Sequence, residues 1–350
     1  MPCYLGGNST RETPMRILPI LLFLISFSGI ASANCAGPNV FPSLAESERQ
    51  ALESKAAAVP FSEGLLWRAE KDGVVSHLIG TFHVHLPEHA AMVTRLGELT
   101  PQPEKVFLEL TDEDQLGFQR HLTENPDSYL IQSGPSLIDR LGPKLWPRVE
   151  EQLQARGMPP FLAARYQPWF LGMTLMLPPC AYEAVKSGKK GLDQQVSAMA
   201  KSNDLPTVSL DSIDGLLTLL ASEPIEEQLE DLRWGLSLNT DLAAPDLIGT
   251  VIAMYLDETT QLIWEFNSAE TFKNVSEDAD QARLAALLKQ AEDDLIITRN
   301  AAWAEVLAME LTQTPALVAV GALHLPGKHG VLNLLQNAGF TLTRVLLKPL

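Results

Sequence analysis

The apolar and polar positions along the chain fall into strand-like patterns at its two ends and helical patterns between them. Leu65–Glu70 and Val74–Ile79 are short apolar-rich runs flanking Lys71-Asp72-Gly73, and Asp-Gly between two such runs predicts a β-hairpin. Lys105–Leu110 reads as a third strand. From there the period changes. Apolar residues recur at helical spacing over Thr111–Leu122, Pro143–Arg156 and Phe161–Leu177, the last stopped by Pro178-Pro179. Gly191–Ala200 continues as helix into a short strand at Thr207–Leu210, and helices follow over Asp214–Ala221, Ile225–Leu236, Leu242–Tyr255, Thr259–Phe266 and Asp278–Leu311. Ala316–Leu323 and Phe340–Leu347 are the last strands. A helix over Phe41–Ala58, with Ser43 as its cap and Glu46 as the box partner, precedes the hairpin. The expected fold is α/β: a central, mostly parallel sheet completed by both chain ends, with a large helical insertion at about 112–300.

One short pattern occurs twice on that framework. Gly80-Thr81-Phe82-His83 closes the run Val74–Ile79, and Gly321-Ala322-Leu323-His324 closes the run Ala316–Val320. Each copy precedes a proline-containing turn and an amphipathic helix, Glu88–Leu99 in one case and Gly330–Ala338 in the other. Open α/β sheets bind ligands in the crevice beyond the carboxyl ends of their strands. Two parallel strands would deliver His83 and His324 there, although about 240 residues separate them.

Composition narrows the partners. With 46% apolar and 20% charged residues the chain is globular in type, and its formal charge is −17. That acidity argues against nucleic acid and anionic membrane, which require clustered Lys and Arg. Met15-Arg16, the apolar run Ile17–Ile30 and Ala31-Ser32-Ala33 form a basic start, a core and an A-x-A cleavage site. Residues 1–33 therefore read as a signal peptide with translation starting at Met15, and the mature chain as exported, periplasmic, and without a permanent membrane anchor. Export leaves Cys35 and Cys180, which in an oxidising compartment most simply form one disulfide; the rival reading is a nucleophilic Cys180.

His83 and His324 are the main candidates for chemistry, because imidazole is both the commonest protein metal ligand and the usual base near neutral pH. The competing reading has both rings satisfying backbone groups at strand ends. Glu109, inside Val106-Phe107-Leu108-Glu109-Leu110, is costly to bury unless paired with a cation, or else is the first exposed residue past the strand. Two imidazoles and a carboxylate would suit Zn²⁺ or Mn²⁺, and Glu109, if not a ligand, would be the catalytic general base. His85 and His89 are secondary candidates, with a solvated loop histidine the plainer reading of His85. Arg299 would stabilise an oxyanion or is a surface arginine; Asp193, after Gly191-Leu192, reads first as a helix cap. No G-x-S-x-G, H-E-x-x-H, Walker or dinucleotide pattern occurs.

Taken together, Leu78–His83 (LIGTFH), Val106–Leu110 (VFLEL), Gly191–Asp193 (GLD), Arg299–Trp303 (RNAAW) and Val320–Gly330 (VGALHLPGKHG) resemble the TraB/GumN family, which includes the TIKI proteins. The similarity runs from about Ser43 to the end, so residues 34–350 are expected to form one such domain. The resemblance implies a core like that of erythromycin-esterase and ChaN-type proteins, with the family hallmarks falling on His83, His324, Glu109 and Arg299. It implies a metal-dependent hydrolase using Mn²⁺, Co²⁺ or Zn²⁺, metalloprotease-like, with a peptide or protein as substrate. Haem or metal capture without turnover is the alternative that ChaN-type relatives suggest, and a regulatory partner protein with a vestigial site is a third. Gln167, where a basic residue is common among relatives, and Asp211, where they often carry Glu, depart from the pattern and bear on the finer substrate contacts.

Overall fold

A computed structural model describes residues 37–221, 223–238, 244–273, 275 and 277–347. The expected signal peptide and Cys35 lie outside the described residues, and the pairing of Cys35 with Cys180 lies outside them too.

The hairpin forms as its turn chemistry demands. Strands β1 (Leu66–Lys71) and β2 (Val74–Thr81) pair antiparallel with Lys71 opposite Val74. Asp72 and Gly73 take φ of 53° and 81°, the left-handed pair that a two-residue turn between twisted strands requires. The remaining strands are β3 (Lys105–Leu108), β4 (Thr207–Ser209), β5 (Ala316–Gly321) and β6 (Thr341–Val345). Their order in the sheet is β4-β3-β5-β2-β1-β6. The three pairings β4-β3, β3-β5 and β5-β2 are parallel, while β1 pairs antiparallel with β2 and β6. The fold is thus α/β, with a mixed, mostly parallel sheet to which both ends of the chain contribute.

Alternation along the strands divides the core between the two sheet faces. Ile79, Val106, Leu108, Leu317 and Ala319 face one side, packing with Leu96, Leu192, Val196, Tyr255 and Phe266. Leu78, Phe107, Val318 and Val320 face the other, with Trp303, Leu307, Val331 and Leu335. Central parallel strands covered on both faces read as continuous apolar runs, which is why β5 is buried at every position. A separate cluster of Leu137, Trp146, Val149, Leu153, Leu171 and Leu229 gives part of the helical region its own core. Among the described residues no helix is long and apolar enough to cross a membrane.

Several expected boundaries shift for local reasons. The first helix begins at Glu46 after Ala45, and Ser43 instead donates its hydroxyl to the Val40 carbonyl within a 3-10 turn. The helix expected from Pro143 begins at Leu137, where Ser136 and Asp139 form a reciprocal capping box; Gly142, at φ 65°, kinks it. Phe161–Leu177 divides into a 3-10 stretch, Pro160–Arg165, and a helix, Pro168–Met176, because Pro168 favours a helix start. Asp278–Leu311 is interrupted by a π-helical turn, Asp293–Thr298, after which Arg299–Glu310 resumes as α-helix.

Candidate functional site

The two repeated motifs leave the sheet side by side. β2 and β5 are parallel neighbours with Thr81 in register with Gly321. Past Gly321 the chain makes one 3-10 turn, Ala322–His324, so His324 sits just beyond the strand. A Cβ at Gly321 would lie 3.2 Å from Glu109 Oε1, 3.4 Å from His324 Cδ2 and 3.7 Å from His83 Nε2. Both imidazoles and the carboxylate therefore border one small space, which a residue without a side chain keeps open.

Each ring has a neighbour at Nδ1, but only that of His324 is a hydrogen bond. His324 Nδ1 lies 2.6 Å from Asn300 Oδ1, while Asn300 Nδ2 donates to the carbonyls of His324 and His329 at 3.2 and 2.9 Å. Those two donations orient the amide with its oxygen toward the ring, so Nδ1 carries the proton and Nε2 presents a lone pair. Nε2 faces Arg299 Nη1 at 3.3 Å, and the buried ring lies against Trp303 with centroids 4.5 Å apart. Burial, helped by Arg299 and His83 and opposed by Glu109, pulls the His324 pKa down to about 4, so the ring is neutral.

His83 differs. Its side chain is 63% exposed, although Nε2 turns inward, and its Nδ1 lies 3.2 Å from Asp193 Oδ1. Asp193 Oδ1 has no hydrogen-bond partner, so this is a charge contact rather than an aligned hydrogen bond. The nearby Asp193 carboxylate, reinforced by Glu109, raises the His83 pKa to about 9 against the opposing effects of burial and Arg299. Gly191 brings Asp193 here: a Cβ on it would stand 2.3 Å from the His83 carbonyl oxygen, and Leu192 N–H donates to Phe82 O at 3.0 Å.

Glu109 accepts from the Gly321 N–H at 2.6 Å and from Arg299 Nη2 at 2.6 Å. Burial alone would raise its pKa. The His324 and His83 rings, Arg299 and the Gly321 N–H outweigh that and hold it down, so the carboxylate is ionised. Arg299 stands just after the π-helical turn and donates Nη1 to Leu295 O at 3.0 Å. It also bonds Asp211, Nη2 to Oδ2 at 2.6 Å and Nε to Oδ1 at 3.3 Å, and lies 4.7 Å from the Trp303 ring centre.

The structure thus gathers His83, His324, Glu109 and Arg299, with Asp193 behind His83. It does not bring His85 and His89 into that space. His85 Nδ1 is 3.2 Å from the Lys190 carbonyl, and His89 is fully buried, its ring centre 6.2 Å from that of Tyr255. Three participants had no role of their own in the sequence analysis: Asn300 and Trp303 entered only within the Arg299–Trp303 motif, and Asp211 only as a departure from the family pattern. The spacing contained a partial signal, since Arg299 and Trp303, four apart on a helix, share a face.

Among the described residues, no three His, Cys, Asp or Glu side chains stand close enough to hold a metal ion as they lie. The Arg299 guanidinium engages Glu109 Oε2 and His324 Nε2. The donor types, two imidazoles and an ionised carboxylate around a common space, are those that divalent ions take, provided that His83 gives up its proton and Arg299 releases Glu109 and His324.

Comparison with curated proteins and with solved structures returns no match. The model of the TraB/PrgY/gumN family matches residues 65–344, from the start of the hairpin to the last strand and across every residue of the site. The chain belongs to the TraB/PrgY/gumN family.

Proposed function

We propose that this protein is an exported, periplasmic, metal-dependent hydrolase with peptide bonds as its leading substrate class. One observation carries the reading. His83 Nε2, the His324 ring edge at Cδ2 and Glu109 Oε1 border the space beside Gly321, while Asp193 and Asn300 stand at the two Nδ1 atoms. Metal-ligating histidines characteristically have such partners on the second nitrogen. A divalent ion, Mn²⁺, Co²⁺ or Zn²⁺, supplies Lewis acidity and water activation when bound.

The side chains divide the remaining work. Glu109 is a better charge-bearing ligand than a general base, because its carboxyl is held below the ordinary range and a base works best with a pKa near ambient pH. Arg299 keeps its positive charge at the pocket and stabilises negative charge developing on a substrate carbonyl oxygen. The peptide class follows from the likeness to the TIKI proteins, and export from the apolar run Ile17–Ile30 with its A-x-A sequence.

Elemental analysis of the purified mature chain, beside His83→Ala, His324→Ala and the double variant, tests the ion site. About one divalent ion per chain is expected in the parent and a marked loss in each variant. Equal metal content in all four would end the proposal. A peptide library incubated with and without chelator tests hydrolysis: cleavage that chelation abolishes and Mn²⁺ or Co²⁺ restores is expected, whereas bound metal without product would identify a binding protein instead.

A further inference from the structure

β4 is the outermost strand on its side of the sheet and pairs along one edge only. Val106 N–H donates to Pro206 O and Leu210 N–H to Leu108 O, so the even-numbered residues of this segment face β3. By alternation Thr207 and Ser209 turn their backbone N–H and C=O groups outward, and no hydrogen bond to those groups occurs among the described residues. Beside this edge runs a groove of about 850 Å³. It is lined by Leu116 and Thr123 of the helix Asp112–Glu124, by Ser197 and Lys201 of the helix Leu192–Ser202, and by Leu205 and Thr207. A helix that follows a strand in an α/β sheet normally buries one stripe against it. Asp112–Glu124 has no buried residue, and its groove-lining Leu116 is 59% exposed. The helix is pinned at its start all the same, Asp114 accepting from the Ser209 hydroxyl and Asp112 from the Ser197 hydroxyl. A second cavity, of about 520 Å³, shares Arg120 and Glu124 with the groove and reaches Asp211, the partner of Arg299. Asp112, Glu113, Asp114, Glu124, Asp211 and Asp214 line the two cavities, against Arg120 and Lys201.

From this we propose that the open edge of β4 binds an extended cationic peptide as an added strand and leads it to the Asp211–Arg299 pair. The inference rests on the peptide-substrate reading above and names the substrate class within it; no bound ion enters. Thr207 and Ser209 supply main-chain hydrogen bonds, which peptides of any sequence satisfy. Side chains of a strand alternate between faces, so one set enters the groove and gives Leu116 and Leu205 something to pack on. The excess of carboxylates favours positive charge on the guest and rejects an acidic chain. β4 runs toward Asp211, so a guest paired alongside it extends from Thr207 to the catalytic pocket. Charge also disfavours the rival occupant, a second copy joined edge to edge, because the formal charge is −17 and like carboxylates would meet across the pairing.

The test is fluorescence anisotropy of the purified full chain in EDTA with labelled peptides of about ten residues, ~33 Å when extended. One peptide alternates Lys and Val, the other Glu and Val. The Lys/Val peptide should bind at least about tenfold tighter, and raising salt from about 50 to about 300 mM should weaken it about three- to tenfold. N-methylation of one alternate set of its backbone nitrogens should weaken binding about tenfold, and of the other set less than about threefold. Thr207→Pro, which deletes an outward N–H and is tolerated on an edge strand, should weaken it about fivefold, and Leu116→Ala by a similar factor. Glu124→Lys combined with Asp214→Lys should erase the preference for the Lys/Val peptide. Equal affinity for the two peptides, or equal effects of the two methylation sets, overturns the inference. Should Thr207→Pro fail to fold, the methylated peptides and Leu116→Ala, an exposed position, decide the matter with the backbone intact. Self-association of the chain that Thr207→Pro abolishes would assign the edge to a second copy and likewise overturn it. Binding as described with no cleavage of any peptide would end the hydrolase reading and leave this inference standing, whereas chelator-sensitive cleavage without such binding would overturn this inference alone.

Discussion

The two G-x-x-H exits share a sequence pattern and a sheet edge yet use their residues in different ways. At the β5 exit the histidine is buried, neutral, tied to an amide and packed on Trp303. At the β2 exit it is exposed, drawn toward the charged form and faced by a carboxylate. The glycines diverge as well. A Cβ on Gly80 would stand 2.9 Å from Leu325 Cδ1 and 3.0 Å from Ala322 Cα, so this glycine permits core packing. A Cβ on Gly321 would enter the space between Glu109 and the rings. A repeated motif therefore need not mean a repeated role. One exit builds a fixed wall, and the other presents a ring that solvent can reach.

The largest expected break in that comparison is in stability. His324→Ala removes a buried ring and leaves Asn300 Oδ1 without its donor, and should cost about 3–4 kcal/mol by urea denaturation. His83→Ala truncates an exposed ring and should stay within about 0.5 kcal/mol. Similar losses in the two variants would show that both exits are structural, against the asymmetry described above.

The glycines sharpen the contrast at a smaller scale. Gly80→Ala overpacks the core against backbone as well as side chain and should destabilise by about 1–3 kcal/mol while leaving Mn²⁺ affinity close to that of the parent. Gly321→Ala meets only side-chain atoms, the nearest 3.2 Å away, so it should cost less stability and more Mn²⁺ affinity. Thermal melts and calorimetric titration of both variants separate the two effects. The reverse pattern would contradict the division of labour between the exits.

Much of this architecture is legible in the chain, for physical reasons. Asp72-Gly73 specifies its own turn, and the apolar runs of β2 and β5 are long enough to be recognised as buried strands. Alternation and turn chemistry are local properties that a sequence displays. Asp211 is different. Its role depends on Leu210 and Asp211 N–H groups bonding back to Leu108 and Glu109, which puts the carboxylate across from an arginine 88 residues later. Asn300 is likewise unremarkable on a helix until the His329 and His324 carbonyls arrive to orient it. Ser43 failed as a cap for the opposite reason: a local rule was satisfied on paper, but the chain spent that hydroxyl on a tighter turn two residues too early.

The smallest expected effect concerns pH, and it distinguishes the exits by sign. His324, with its pKa lowered from 6.5 to about 4, favours the fold only while neutral, so its contribution is lost as pH falls through that interval. His83 is raised from 6.5 to about 9, so its pairing with Asp193 is fully present below pH 6.5 and disappears as pH rises through 9. Because the ring is open to solvent and the contact poorly aligned, screening keeps this alkaline limb shallow. Melting temperatures of the parent and His83→Gln should accordingly differ slightly at pH 6 and converge at pH 9.5, with Asp193→Asn behaving like His83→Gln. A His83→Gln difference that is unchanged between the two pH values would mean that the Asp193 carboxylate stabilises no charge on His83, leaving only the β5 exit with an electrostatically defined histidine.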